Sequence, residues 1–296
     1  MEYLEIIANA YSGYANYLWQ EITFGYDYKP WWQNYFYLLI AISLFFFGLE
    51  VLNPWRKNQS TFRKDFWLDF FYMFFNFFLF SLIIYNAFSE VMVDLFTDFI
   101  SLFGVSNWPA NYIASWPIVA QLILMFFLAD FIQYWTHRLL HRVPWLWEFH
   151  KVHHSVEQMG FAAHLRFHWM ETFVYKSIQY IPLSMIGYGI EDYFVIYLIQ
   201  IVVGHFNHSN WKIPLGPLKF LLNNPQMHIW HHAEKWPENH QLGINFGITL
   251  SLWDYIFGTA SIPHDGRDIK LGFDHLEEYP STFLGQATHG FSRNEN

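Results

Sequence analysis

Histidine stands out by number and spacing in this chain of 296 residues, which contains 16 of them. Two clusters share the pattern HxxHH, at 150–154 and 228–232, and a third, HRLLH, spans 137–141. Because residues at i, i+3 and i+4 lie on one face of a helix, each cluster directs its imidazoles the same way. Neutral imidazole is a good ligand for iron, zinc, copper and nickel, and helix bundles hold pairs of metal ions between facing side chains. The predicted ligands of such a dimetal site are His137, His141, His150, His153, His154, His208, His228, His231 and His232.

Further residues are predicted to support these ligands without binding metal. Asp130 lies two turns before His137 in an apolar run, where an ionisable group is a functional candidate and can accept a hydrogen bond from a ligand imidazole. Glu171 either has a similar role or favours the start of a helix. His205 either faces the metals or caps the predicted helical hairpin. The supporting candidates are Asp130, His168, Glu171, His205 and Asn245.

The other histidines are isolated in the sequence. A single histidine on an apolar face is typically a hydrogen-bonded core or interfacial residue, and this is the interpretation for His240, His264, His275 and His289. His164 lies between two clusters and is not included among the ligands. No catalytic side chain is predicted beyond the metal ligands.

The composition indicates a membrane protein. Charged residues make up 14% of the chain and aromatic residues 23%, the formal net charge is −9, and cysteine is absent. These values exclude a disordered tail, a basic nucleic-acid binder, a disulfide framework and thiolate or iron–sulfur metal sites. Long apolar runs predict helices that cross a membrane. The predicted spans are Tyr35–Leu52, Phe66–Phe88 and Pro117–Trp135, followed by a helical hairpin, either spanning or re-entrant, at Phe173–Gly187 and Tyr193–Val203.

Charge sets the predicted orientation of these spans. The loop between the first two spans contains four basic residues, Arg56, Lys57, Arg63 and Lys64. The first thirty residues contain a single basic residue, Lys29. Since positive loops stay in the cytoplasm, we expect the amino terminus outside and every histidine cluster on the cytoplasmic face. Residues Val93–Val105 are then expected to form an interfacial helix on the outer face. The short loops and the lack of cysteine suit a bacterial inner membrane.

The histidine clusters also resemble those of a known family. HRLLH at 137–141, HKVHH at 150–154, His208 and HIWHH at 228–232 are similar to the motifs of the fatty acid hydroxylase / sterol desaturase superfamily of membrane di-iron enzymes. The resemblance extends from about Asp130 to Thr259. It includes Arg166, His168 and Glu171, then Leu215-Gly216-Pro217, Asn245-Phe246-Gly247, Trp253-Asp254 and Phe257-Gly258-Thr259. Within the superfamily, the 215–259 stretch is most similar to the bacterial branch that resembles alkylglycerol monooxygenase.

The resemblance implies a non-haem centre of two iron ions that uses O2 to oxidise a C–H bond of a lipid. Hydroxylation and desaturation both remain open, as does the lipid, whether sterol, fatty acyl or ether lipid. Arg142 stands where the ether-cleaving enzyme of that branch carries an acidic residue, so the resemblance leaves ether cleavage and the use of a pterin open. The chain carries no flavin or nicotinamide fingerprint, so its electrons must come from a separate reductase or electron carrier, or from a reduced cofactor such as a pterin. The oligomeric state is not predicted.

The expected architecture is an all-α integral membrane protein with about three spanning helices, a hairpin and a cytosolic helical cap that holds the dimetal site. A single membrane domain is expected over 1–296. Its parts are amino-terminal spans and an outer interfacial helix at 1–116, a hydroxylase-like catalytic region at 117–260 and a polar cytosolic tail at 261–296. The alternative function is a membrane metal transporter or metal-sensing protein with a cytosolic histidine site. The regular helical spacing of the histidines favours the oxygenase.

Overall fold

The architecture is helical throughout the part of the chain that the computed structural model describes, namely residues 2–76, 115–185 and 190–291 with the isolated positions 95, 98, 99, 101–104 and 113. The α-helices in these ranges are α1 (Glu2–Thr23), α2 (Tyr35–Leu52), α3 (Phe66–Phe74), α4 (Ile118–Arg142), α5 (Pro144–His154), α6 (Trp169–Met185), α7 (Ile190–His208), α8 (Pro225–His231), α9 (Leu252–Ile256) and α10 (Phe283–Thr288). Extended pairing in the described ranges is limited to two isolated bridges, Leu222 with Leu250 and Ala233 with Leu271. The all-α prediction is confirmed for these residues.

Helices α2 and α4 are long and apolar enough to cross a membrane. Asn34 caps α2 by accepting a hydrogen bond from the backbone N–H of Tyr37 at 2.9 Å, and Asn53-Pro54 ends it, since proline cannot continue a helix. Only 17% of the apolar window of α2 and 22% of that of α4 is buried in the protein. Leucine and phenylalanine side chains therefore face outward along both helices, as expected where lipid covers them. The protein is a membrane protein.

The predicted spans correspond to helices wherever the chain is described. The first coincides with α2, and the third lies in α4, which continues for seven more residues and so carries the first histidine pair on the same helix. Of the second, α3 covers Phe66–Phe74, and positions 77–88 lie outside the described residues, as does most of the expected interfacial helix at 93–105. Helices α6 and α7 occupy the place of the predicted hairpin, whose connection at 186–189 is also outside the described residues.

A buried segment at 156–168, between α5 and α6, is the centre of the packing. It includes a short 3-10 helix, Phe161–Leu165, against which α3 and α7 pack closely. The apolar side chains of this core come from four different elements. They are Leu39, Phe46, Phe66, Met73, Phe161, Ala162, Leu165 and Ile201.

Buried ion pairs fasten the 156–168 segment to the amino-terminal part of the chain. The Asp69 carboxylate on α3 accepts hydrogen bonds from Arg63 at 2.6 Å and from Arg166 at 3.0 Å, and all three side chains are buried. Arg63 also donates from Nε to the carbonyl oxygen of Gln158 at 2.6 Å. The Asp69 carboxylate thus joins Arg63, in the loop before α3, to Arg166, which lies shortly before α6.

Two further contacts hold the same segment from the same side. Asn76 donates from Nδ2 to the carbonyl oxygens of Leu165 and Phe167, at 2.8 and 2.9 Å. Glu50, near the end of α2, accepts from the backbone N–H groups of Phe161 and Asn210, both at 2.7 Å. Because the acceptors and donors on the segment are backbone groups, residues 50–76 fix the path of its main chain. We call this set of contacts the amino-terminal clamp.

The clamp predicts a large stability effect at one position. Asp69→Asn removes the charge that Arg63 and Arg166 share in a buried site, and breaking a buried ion pair from one side costs about 3–5 kcal/mol. Thermal unfolding of purified protein in detergent should therefore show a marked fall in midpoint. Glu157→Gln is the matched control, because Glu157 pairs with Lys64 at the exposed surface and its loss should change stability by less than about 0.5 kcal/mol. Equal midpoints for the two variants would contradict the clamp.

Candidate metal centre

The nine predicted ligand histidines lie together in two buried groups. The first group consists of His137, His141, His150, His154 and His231, and the second of His153, His208, His228 and His232. Within each group the candidate ligand atoms all lie within 4.8 Å of one another. Helices α4, α5, α7 and α8 supply them, so four separate elements converge on one region.

Each HxxHH cluster is divided between the two groups. On α5, His150 and His154 belong to the first group and His153 to the second; on α8, His231 belongs to the first group and His228 to the second. The groups are in contact, since the rings of His154 and His232 stack with centroids 4.5 Å apart. Two metal ions held by these groups would therefore be close neighbours.

Hydrogen bonds on the outer side fix the orientation of the imidazoles. In four of them Nδ1 faces a backbone carbonyl oxygen, which can only accept, so Nδ1 must carry the proton; in a fifth, Nδ1 faces the Glu171 carboxyl group. These contacts join His137 to Phe246 O at 2.7 Å, His231 to Ile244 O at 2.7 Å, His150 to Glu171 Oε2 at 2.7 Å, His153 to Arg166 O at 3.0 Å and His208 to Gly204 O at 2.8 Å. The Nε2 atom of each ring is then left with a lone pair that points inward.

These inward lone pairs fit a bound cation. The Nε2 atoms of His137 and His150 lie 3.2 Å apart, and those of His153 and His208 lie 3.3 Å apart. With both Nδ1 atoms protonated, no hydrogen is available between the two nitrogens, and their lone pairs repel. Two nitrogens that bind one ion at ~2.0–2.1 Å lie about 2.9–3.4 Å apart, so the spacing matches ligands of a shared metal. Neither buried ring nitrogen of His141 has a hydrogen-bond partner, so this ring offers a further lone pair for a metal ion.

Burial keeps the imidazoles in the form that binds metal. It lowers the pKa of His150 to about 3 and the pKa values of His154, His231 and His232 well below their usual range, and the neighbouring histidines lower the last three further. The neutral ring is the ligand form, and no proton competes with the metal for its lone pair near neutral pH. The chemistry of the donor set therefore suits one or two ions of a first-row transition metal.

Glu171 contacts a histidine of the first group and the backbone at the start of α6. One carboxylate oxygen accepts from His150 Nδ1, and the other accepts from the backbone N–H of His168 at 3.1 Å. Both oxygens are thus occupied and the carboxylate cannot turn away from the imidazole. A carboxylate behind a metal-bound histidine raises the basicity of the ligand and holds its ring.

A turn at 244–247 supports two ligands of the first group, and a residue outside the predicted site holds that turn. The carbonyls of Ile244 and Phe246 are those that accept from His231 and His137. Asp254 fixes the turn by accepting from the backbone N–H groups of Phe246 and Gly247, both at 2.8 Å. Burial raises the pKa of Asp254 to about 6, against the lowering effect of these hydrogen bonds. The Trp253-Asp254 motif was the sequence signal for this role.

Asn245 lies in the same turn and contacts no ligand imidazole. It has a left-handed backbone conformation, with φ of 55°, and it donates to the carbonyl oxygens of Met227 and Ser261 at 2.8 and 2.7 Å. It therefore joins the turn to the residue before His228. Its side chain supports the site through the backbone.

Asp130 has partners other than the one we expected. Its carboxylate accepts from Trp253 Nε1 at 2.8 Å and from the backbone N–H of Leu250 at 3.3 Å, and not from an imidazole of the site. The periodicity of α4 correctly predicted that Asp130 and His137 share a helix face. The groups that donate to the carboxylate nevertheless come from α9 and from the residues just before it. Asp130 thus fixes the neighbourhood of Asp254.

Two supporting histidines also make contacts that the sequence could not predict. His168 donates from Nε2 to the carbonyl oxygen of Ala287 at 2.9 Å, which ties α10 to the start of α6. His205 pairs with His164, with their Nδ1 atoms 3.1 Å apart, and contacts Ser43 on α2. Neither belongs to the two histidine groups.

The isolated histidines lie away from the two groups. His264 packs against Trp230, His289 pairs with Glu148 at 3.0 Å, and His275 is largely exposed. His240 lies in a short 3-10 helix, Glu238–His240, at the rim of a separate surface pocket.

A cavity between α4, α6 and α7 opens directly onto both groups. Histidines 137, 150, 153, 208 and 228 form one end of it. Two of the polar wall residues donate hydrogen bonds within the protein: Gln200 donates to Gln133 at 2.9 Å, and Gln179 donates to the carbonyl oxygen of Ala129 at 2.7 Å. The remaining wall includes Leu165, Phe167, Ile201 and Ile248. A second pocket reaches the first group from another side, through His141 and its neighbours Trp147 and Trp236.

Sequence comparison identifies the region that carries this site. Residues 122–259 match the fatty acid hydroxylase family. This region belongs to that family. The match begins in α4 and ends just beyond α9, so it contains all nine histidines and excludes residues 50–76 of the amino-terminal clamp.

Curated relatives of this fatty acid hydroxylase region include several lipid-modifying enzymes. An ornithine lipid hydroxylase, OlsE, from Rhizobium tropici is 31% identical over 63% of this chain and 54% of its own length. Alkylglycerol monooxygenase from Homo sapiens is 31% identical over 55% of this chain and 38% of its own length. Methylsterol monooxygenase 1-2 from Arabidopsis thaliana is 31% identical over 48% of this chain and 47% of its own length. The chain thus spans about half, or less, of the relatives it matches, and no solved structure matches it.

The Glu171 contact predicts a graded effect on metal affinity. Glu171→Leu removes the acceptor behind His150, and loss of such a partner typically weakens metal binding about 10–100-fold. Glu171→Gln keeps an acceptor oxygen and should show a smaller loss. Iron retained per chain after dialysis against a series of chelator concentrations measures both. Glu148→Gln, at a partly exposed carboxylate, is the control; if the Leu variant retained iron as this control does, the role assigned to Glu171 would be wrong.

Proposed function

We propose that this protein is an O2-dependent di-iron oxidoreductase that hydroxylates or desaturates a C–H bond of a membrane lipid. The observation that carries the proposal is the pair of contacting histidine groups whose Nε2 lone pairs converge at the end of a cavity between membrane-type helices. When bound, two iron ions supply the redox chemistry that activates O2.

The nine histidines act as the metal ligands in this proposal. All nine are buried, so no ring has to give up a hydrogen bond to bulk water in order to bind an ion. The outer hydrogen bonds of His137, His150 and His153 keep Nε2 directed inward and prevent ring rotation. Glu171 holds the His150 ring through its contact with Nδ1.

The cavity between α4, α6 and α7 is the proposed substrate chamber. Its histidine end would present the ligand side of the centre to a lipid segment that enters between the helices. Gln200 donates to Gln133 within the wall, and Leu165, Phe167, Ile201 and Ile248 supply apolar surface that can contact an apolar chain. Exclusion of water at this end protects the oxidation from side reactions.

The relatives support a lipid substrate without choosing one. The names of three of them specify an ornithine lipid, an alkylglycerol and a methylsterol, which differ in head group and skeleton. What these substrates share is an apolar body that resides in a membrane. We therefore propose a membrane lipid as substrate, with O2 as oxidant and a separate reductase or carrier as the source of electrons.

The proposed topology places residues 1–116 as amino-terminal spans, 117–260 as the catalytic region and 261–296 as a cytosolic tail. The basic loop at 53–65 supports a cytoplasmic active site in a multi-pass protein of a bacterial inner membrane. The α10 helix of the tail contacts the catalytic region through Ala287, which accepts from both His168 and Trp169. A metal transporter or sensor is not favoured, because the family match and the relatives are lipid-modifying enzymes.

The proposal predicts a specific change in membrane lipids. Host cells that express the wild-type chain should contain a lipid species shifted by one oxygen atom or by the loss of two hydrogen atoms. Cells that express His231→Ala should lack it, because the variant loses a ligand of the first group. Mass spectrometry of extracted lipids makes the comparison, and disappearance of ether lipids would indicate cleavage instead.

His275→Ala is the control variant for this experiment, since an exposed histidine outside the site should leave the product unchanged. The proposal fails if the purified wild-type chain binds no iron and produces no new species with O2 and reductant supplied. It also fails if His231→Ala produces as much product as the wild type.

A further inference from the structure

The two histidine groups are unequal, with five members in the first and four in the second. A further histidine, His164, lies next to the smaller group, against His208. We propose that His164 is the fifth histidine of the second group and that its Nε2 is an additional metal-binding nitrogen. This inference rests on the dimetal centre of the proposed function and extends it to a residue outside the clusters.

Position is the first argument for His164. Its ring centroid lies 5.2 Å from that of His208, which is the same separation as between members of the group, such as 5.1 Å for His153 and His208 and 5.3 Å for His208 and His232. His164 also lines the cavity onto which His153, His208 and His228 open. It therefore lies beside the second group on the cavity side.

The hydrogen-bond chain behind His164 allows its Nε2 to present a lone pair. When Ser43 donates its single hydroxyl proton to the Met73 sulfur at 3.4 Å, the Ser43 oxygen accepts from His205 Nε2 at 3.2 Å. His205 Nδ1 then accepts from His164 Nδ1, which lies 3.1 Å away. In this arrangement His164 has the tautomer of the ligand histidines, with Nδ1 protonated and the lone pair on Nε2.

A glycine on α7 makes room for this ring. Gly204 lies one turn before His208, on the same face of the helix, and a Cβ at that position would collide with the His164 imidazole. No side chain on α7 can therefore occupy that position while His164 is there. The surface of α7 beside His208 is formed by an imidazole from the 156–168 segment.

Ligation requires a modest movement. His164 is not among the four histidines whose candidate atoms lie within 4.8 Å of one another, so its ring must close on the group when an ion binds. The cavity in front of it provides the space, and the His205 contact behind it keeps Nε2 on the correct side. The resulting centre would have five imidazoles for each ion.

Cobalt titration of the purified chain in detergent tests the inference without relying on turnover. The wild type should bind two equivalents of Co2+, each with a visible absorption spectrum that reports its ligands. His164→Ala should bind one equivalent as the wild type does and the other at least about tenfold more weakly, with an altered spectrum. Gly204→Ala, which displaces the ring but keeps the histidine, should weaken the same equivalent.

His240→Ala is the matched control and should titrate as the wild type does, because His240 lies outside the two buried groups and outside the exposed cluster of His275, Glu277 and Glu278. The inference is overturned if His164→Ala binds both equivalents with wild-type affinity and spectrum, or loses both while its unfolding temperature is unchanged. Should His164→Ala fail to fold, Gly204→Ala decides, and wild-type titration of that variant would also overturn the inference. A wild-type chain that binds fewer than two equivalents would instead refute the dimetal centre of the proposed function.

Discussion

The centre depends on which ring nitrogen carries the proton. A neutral imidazole offers one lone pair, and it can point inward only if the other nitrogen donates outward to an acceptor at a fixed place. Those acceptors are mostly backbone carbonyls, at Arg166, Gly204, Ile244 and Phe246. The loops and helices that carry these carbonyls are therefore as much a part of the site as the histidines, and much of the fold serves to hold them still.

Local patterns in the sequence predict a large part of this arrangement. Helical spacing at 150–154 and 228–232 correctly indicates clusters that converge, and apolar runs correctly indicate α2 and α4. The division of each cluster between two groups depends on where separate helices lie relative to one another, which a spacing rule within one helix does not include. The same limit applies to Asp130, whose face was predicted but whose nearest donor, Trp253, lies 123 residues away.

The contacts of the amino-terminal clamp could not be predicted from the sequence for the same reason. Asp69 and Arg166 are 97 residues apart, and nothing in their local sequence pairs them. Arg166 nevertheless has two roles, because its side chain binds Asp69 while its carbonyl accepts from His153. The orientation of His153, within the family region 122–259, therefore depends on helix α3, which lies outside that region.

This dependence divides the support of the site between two distant parts of the sequence. Asp69 has Arg63 as a partner from its own part of the chain and Arg166 as a partner from the other part. The 156–168 segment, which contains the acceptor for His153, is therefore held in place only when both parts are present. For the proposed metal centre, a fragment without residues 50–76 would lack the contacts that fix one ligand orientation, although it would contain all nine histidines.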